Sequence, residues 1–291
     1  MEERKLANKS SRTYYLCQCD CGNNELVSVR SDYMNKITSC KIHKVITEKL
    51  GKVNYNSYGN KMKIINYKDR KNIDILFEDY NYITKTTYQR FKEGDIACPF
   101  DKTVYEKGYT GIGNYTTDDI AHNYWFSMFK RCFSEGELNK RPTYKDCLIC
   151  EDWHNYQIFA QWFHENYYEI PNEVMCLDKD ILIKGNKIYS PDTCCIVSNR
   201  INVLFTKSDS ARGDSPIGTS YLERLNKYQV NCQDSNCKKI YLGVYSDETK
   251  AFQVYKDFKE KTIKQVAEKN KEYIPLKVYN AMMNYNVEIT D

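Results

Sequence analysis

Near the start of the chain, Cys17, Cys19, Cys21, Cys40 and His43 bring thiols and an imidazole within a short span. Sulfur and nitrogen donors in two close pairs suit tetrahedral zinc, which stabilises a piece too small to build its own core. Cys40-x-x-His43 would supply one pair, and Cys19 with Cys21 the other, Cys17 being a further candidate. The spacing is irregular, so unligated thiols are the alternative. No open ligand position is suggested, which makes the expected zinc structural. Cys147-x-x-Cys150 and the adjacent Cys194 and Cys195 offer a second group of thiols, read here as small buried residues beside helices rather than a second zinc site.

Composition limits what else the chain does. Of 291 residues, 41% are hydrophobic and 28% charged. With a mean hydropathy of −0.71, that balance favours several small, well-solvated modules over one large core. The net charge is only +4, so nucleic-acid binding has to rest on local patches. The 26 tyrosines are first a mark of AT-rich coding, although some rings are available to stack on bases. No run approaches the ~20 apolar residues of a membrane span. The opening MEERKLANKSSRTYY lacks the apolar centre of a signal peptide. Thirteen cysteines, an odd number, are therefore expected as thiols or metal ligands in the cytoplasm.

The elements that position these groups follow from periodicity. KMKIINY, NIDILFEDY and NYITKTTY alternate apolar and polar residues between residues 61 and 88, predicting a compact antiparallel sheet. EKGYTGIGNY, with three glycines, reads as a linker. Thr116 as N-cap, with Asp119 reaching back, starts a helix running to about Phe133. A second amphipathic helix covers about Asn155 to Tyr167. Between Met175 and Phe205 the pattern is strand, loop, strand and a short helix capped by Ser198. Three short strands follow from Ser215, then a helix starting at Asp247; residues 271–291 form a tail of unassigned role.

Several of these segments resemble known families. Cys21-Gly22 resembles a zinc knuckle, and the wider segment resembles the "CxCDCG…SC" module that precedes HNH domains in phage proteins, with His43 in place of its last cysteine. The ordered run WFSMFKRC, CLICEDWHNYQIFAQWF, LDKDI, GNKIYSPDTCCIVS and Asn202 is similar to HNH endonucleases over about ninety residues. That resemblance implies a ββα-metal site. Asp178 on the strand and Asn202 on the helix would bind one magnesium or manganese ion, which stabilises phosphate charge and the departing oxygen. Lys179 stands where the general-base histidine is expected, and Thr193 where an asparagine would orient that base. An exposed lysine, with a pKa near ~10.4, is a poor base but still a point charge for the scissile phosphate. His154 or His164 would replace the base only if its helix packed over the cation.

The C-terminal order of three strands and a helix, with Leu242, Gly243, Tyr245, Glu248 and Ala251, resembles an AP2-type DNA-binding domain. Arg224, Lys227, Lys238 and Lys239 would then face phosphates and base edges. A charged, solvated face is the alternative.

The expected fold class is α+β in small modules: a zinc-ribbon-like piece (1–50), a small antiparallel β domain (51–105), an HNH-like ββα-metal domain (116–207), an AP2-like sheet and helix (215–270), then the tail. The resemblances imply an HNH-type endonuclease or nickase of a phage or mobile element, acting on double-stranded DNA in a bacterial host. The alternative is a catalytically inactive binding protein, such as a regulator or an inhibitor of a host nucleic-acid-directed defence complex. No membrane association is expected.

Overall fold

The computed structural model describes residues 5–7, 13–19, 26–37, 40–206 and 215–291. The chain is mixed α and β, built on several small sheets, and divides into two compact units, residues 1–101 and 102–291. No described helix is long and apolar enough to cross a membrane.

In the first unit, β1 (Lys5–Ala7), β2 (Thr13–Cys17) and β3 (Val27–Arg30) form an antiparallel sheet in that order. Helix α1 (Lys41–Lys49) follows. A four-stranded antiparallel sheet then runs in sequence order through β4 (Val53–Tyr55), β5 (Lys61–Asp69), β6 (Asn72–Phe77) and β7 (Tyr82–Thr86). The last three are the strands that alternation predicted; β4 is too short to show a period. Met62, Ile64, Tyr67, Ile73, Ile75 and Phe77 line the buried face, closed by Phe91 of α2 (Tyr88–Glu93) and by Ile96 and Cys98. At the edge of this core Asp101 is 2% exposed. Its Oδ1 accepts the side-chain amides of Asn56 (2.8 Å) and Asn60 (2.6 Å), and its Oδ2 accepts the Cys98 N–H (2.6 Å). One carboxylate thereby ties the β4–β5 turn to the segment that ends the unit.

The second unit is built around α3 (Ile120–Phe133) and α5 (Tyr156–Asn166), with α4 (Glu135–Lys140) between them. Asp119 itself caps α3, accepting the Ala121 N–H at 2.9 Å, so the cap is three residues later than expected. The helical stripes meet in an aromatic core of Trp125, Phe129, Trp153, Tyr156, Phe159 and Phe163, where the Trp125 indole N–H donates to the Trp153 carbonyl at 2.7 Å. β8 (Leu148–Ile149) pairs parallel with β10 (Ile188–Tyr189). β9 (Met175–Asp178) pairs antiparallel with β11 (Cys195–Ser198), and α6 (Asn199–Val203) starts on Ser198, whose hydroxyl accepts the Ile201 N–H.

β12 (Thr219–Leu222), β13 (Lys227–Gln233) and β14 (Lys239–Tyr245) form another antiparallel sheet, the third with more than two strands. Helix α7 (Glu248–Lys269), capped by Asp247, packs Ala251, Phe252 and Tyr255 onto that sheet. Its later residues Ile263, Val266 and Ala267 enter the aromatic core instead, with Ile274 and with Val278 and Met282 of α8 (Leu276–Met283). One helix thus serves two cores, and the tail is part of the second.

The glycine-rich run 106–115 is not a linker. Gly108 and Gly111 are buried, Tyr109 pairs with Asn155, and the Tyr115 N–H donates to Gln157. Gly111 has φ +71, and a Cβ there would lie 2.1 Å from Asn155 Oδ1, the atom that caps α5 through the Gln157 N–H. Gly111→Ala is therefore expected to cost about 2 kcal/mol or more, combining left-handed strain with loss of a cap. Gly185→Ala isolates the strain alone, since Gly185 has φ +76 but open space around it. Chemical denaturation followed by tryptophan fluorescence measures both; equal losses at the two sites would show that the cap is undisturbed.

Candidate functional site

The end of β9 brings together much of the chemistry of the second unit. Asp178 terminates the strand, and its Oδ1 accepts the N–H groups of Asp180 (2.7 Å) and Ile181 (2.8 Å). Its Oδ2 accepts no hydrogen bond from the described residues. Burial, only partly offset by those two amides, raises the Asp178 pKa above its ordinary value. Asp178 and Cys176 share a strand face by alternation. The Cys176 thiol donates to the Val197 carbonyl at 3.4 Å, and the Asp178 charge and the Asn202 amide of α6 act on it in opposite directions. Burial and the Asp178 charge push that thiol up to about 11, which keeps it protonated at neutral pH. A carboxylate oxygen and an amide oxygen are hard donors of the kind magnesium or manganese takes. In donor chemistry the two residues, with the unused Asp178 Oδ2, are of the kind such an ion takes.

Lys179 is not exposed. It is 6% accessible, with Nζ donating to both carboxylate oxygens of Asp180 (2.8 Å each) and to the Asn186 carbonyl (2.9 Å). The strand ends at Asp178, and the turn that Asp178 closes swings Lys179 inward, which overturns the expectation of a solvent-facing point charge. Burial lowers the pKa of this lysine, but the hydrogen bond and charge of Asp180, with Cys147 and Asp178, outweigh it and leave the net value raised. It therefore remains a cation at neutral pH. Thr193 sits where an orienting residue was expected but donates to the Ile188 carbonyl (2.7 Å) and bonds the Ser190 hydroxyl (2.8 Å). The residue that holds Lys179 is Asn186, which also donates its amide to the Lys179 carbonyl (2.9 Å) and to Ile188 O (2.7 Å). The GNK turn in the sequence was the available signal for it.

Neither spare histidine serves the centre. His164 Nε2 lies 2.7 Å from Asp119 Oδ2 and its ring stacks on Tyr115. The His154 ring packs on Phe129, with Glu151 at 3.8 Å. Sequence reasoning passed over Arg131 as a site residue. Its half-buried guanidinium lies over the Tyr144 ring, 6.0 Å from the centroid, and its positive charge acts on the Cys176 thiol.

At the N-terminus, Cys40 caps α1, its Sγ accepting the His43 N–H at 3.1 Å. Cys17 ends β2 with its thiol against Met34 Sδ (3.6 Å), and Cys19 is half-buried just beyond. Cys21 lies outside the described residues. Among the described residues no group of three or more His, Cys, Asp or Glu side chains is placed to hold a metal ion.

On the third sheet, α7 covers one face and leaves the other open. Pairing places Lys227 with Leu222 and Lys239 with Gln233 on the open face. Arg224 lies in the turn after β12 and Lys238 in the turn before β14, at opposite ends of the sheet. All four cations are exposed.

No protein-family model, curated protein or solved structure matches this chain.

Proposed function

We propose that this chain binds double-stranded DNA and carries an HNH-like ββα centre that nicks it slowly, with magnesium or manganese held by Asp178 and Asn202. The observation that carries the reading is the β9–β11–α6 arrangement, with Asp178 at the strand end and Asn202 on the following helix. The cation would stabilise charge on the phosphate and the departing oxygen. Arg131, the cation next to this group, takes the phosphate-binding role that Lys179 cannot reach. The rate is slow because no histidine stands where a proton must leave the attacking water. The third sheet supplies AP2-like DNA binding through Arg224, Lys227, Lys238 and Lys239. The N-terminal piece is held by tetrahedral structural zinc on Cys19, Cys21, Cys40 and His43, with Cys17 as the alternative thiol. Support for the zinc is the Cys40 sulfur already accepting a backbone N–H.

A catalytically inactive reading, in which the chain regulates or blocks a host nucleic-acid-directed defence complex, is favoured by the inward pairing of Lys179 with Asp180. Supercoiled DNA incubated with manganese separates the two. Nicking by wild type that disappears in Asp178→Ala supports the first reading. Intact DNA with both proteins, each still shifting the DNA in a gel, leaves the inactive one. Metal analysis of the same preparation checks the zinc, and finding none removes it.

A further inference from the structure

The open face of the third sheet has a composition of its own. Val230 and Cys232 of β13 point into the core, so alternation turns Lys227, Gln229, Asn231 and Gln233 to the other face. The bulge between β13 and β14 leaves this alternation intact. Val230 pairs with Gly243 and Asn231 with Tyr241, so the extra residue, Leu242, sits on β14, and Gly243 absorbs the irregularity at φ +120. No described residue hydrogen-bonds the side chains of Gln229, Asn231 or Gln233. Tyr241, 60% exposed, and Ser220 border them. No arginine or aspartate stands on this central strand; the cations lie at its start, on the neighbouring strand and in the two turns.

Alternate residues on a strand are ~6.6–6.8 Å apart, and two steps along a DNA strand span about 6.8 Å. A row of carboxamides at that repeat is in register with every second base pair. Each carboxamide offers one acceptor and two donors on one planar group, which fits the N6 donor and N7 acceptor of adenine in the major groove. Guanine, with two acceptors there, is matched by arginine or lysine instead.

We infer that Gln229, Asn231 and Gln233 are the specificity-determining residues of this surface and read adenines spaced two base pairs apart. The surrounding lysines and Arg224 fix the sheet on the phosphates. This inference rests on the DNA-binding reading of the same sheet.

The test uses the full chain and labelled duplexes of equal length at fixed salt, since phosphate contacts alone vary steeply with ionic strength. A duplex with adenine at alternate positions is expected to bind at least about tenfold more tightly than a G·C duplex, the usual discrimination of one bidentate pair. The Gln229→Ala/Asn231→Ala variant, altered only on the open face, should lose that preference while keeping its G·C affinity. Replacing the adenines by 7-deazaadenine, which lacks the N7 acceptor but leaves the minor groove unchanged, should do the same to wild type. A preference that survives both changes, or no preference at all, overturns the inference and leaves DNA binding intact. Failure to bind any duplex, or binding of single strands only, overturns both.

Discussion

Replacing Asp101 with alanine is expected to lower the stability of the first unit by about 3–4 kcal/mol while leaving the second unchanged. Three donors lose a bond at once: the Asn56 amide, which keeps only the Ile96 carbonyl, the Asn60 amide and the Cys98 N–H. Bonds to a charged acceptor are worth about 1.5–3 kcal/mol each, and a buried donor left unmade carries a further penalty. Asn56 is itself buried, and its side-chain oxygen already accepts the backbone N–H groups of Tyr58 and Asn60, so it cannot turn to recover the loss. Asp101→Asn should cost less, keeping one acceptor oxygen but setting its NH2 against an N–H. The three tryptophans, Trp125, Trp153 and Trp162, all lie in the second unit. Tryptophan fluorescence should therefore miss the change, and far-UV circular dichroism should reveal an early transition. A wild-type dichroism curve would contradict the role assigned to Asp101.

Lys179→Ala is expected to destabilise the second unit by about 2–3 kcal/mol and to do little to DNA affinity. Removing one partner of a buried ion pair costs about 3–5 kcal/mol, and the 44% exposure of the Asp180 side chain reduces that. The variant also empties the space of a buried stem and leaves the Asn186 carbonyl without its donor. The pH dependence has a definite sign. The folded pKa of Lys179 lies above its ordinary value of 10.5, so its contribution to stability is complete below about 10.5 and is lost only as pH rises through the folded value. Denaturation midpoints for wild type and Lys179→Ala should thus differ by a constant amount from pH 6 to 9. A loss of affinity for DNA with unchanged stability would instead return Lys179 to the surface, as the sequence had implied.

The sequence was most informative where a period runs long enough to be counted. The stripe of Ala121, Trp125, Met128, Phe129 and Cys132, and the alternation of residues 61–86, both specify a buried face that the fold uses. Ser198 and Asp247 were readable as caps because a short polar side chain precedes an apolar run at each. What could not be read depends on where elements stop. A strand continuing past Asp178 would put Lys179 on the face opposite Asp178 and Asp180 on the same face; the Asx turn at Asp178 pairs the lysine with Asp180 instead. The run 106–115 has linker composition, yet its glycines are there for lack of room beside Trp125, Phe129 and Asn155. Asn186 was hidden for a similar reason, since its role is to hold a lysine that local pattern left in solvent.

Helix α7 gives the second unit a fixed length scale. Its 22 residues span about 33 Å at 1.5 Å per residue, one end beneath the amide-bearing sheet and the other among the side chains that also pack against β9. A continuous helix clamped at both ends behaves as a ruler. On the proposed function, a nick would fall at a constant offset from the bases the sheet reads, whatever the sequence between them.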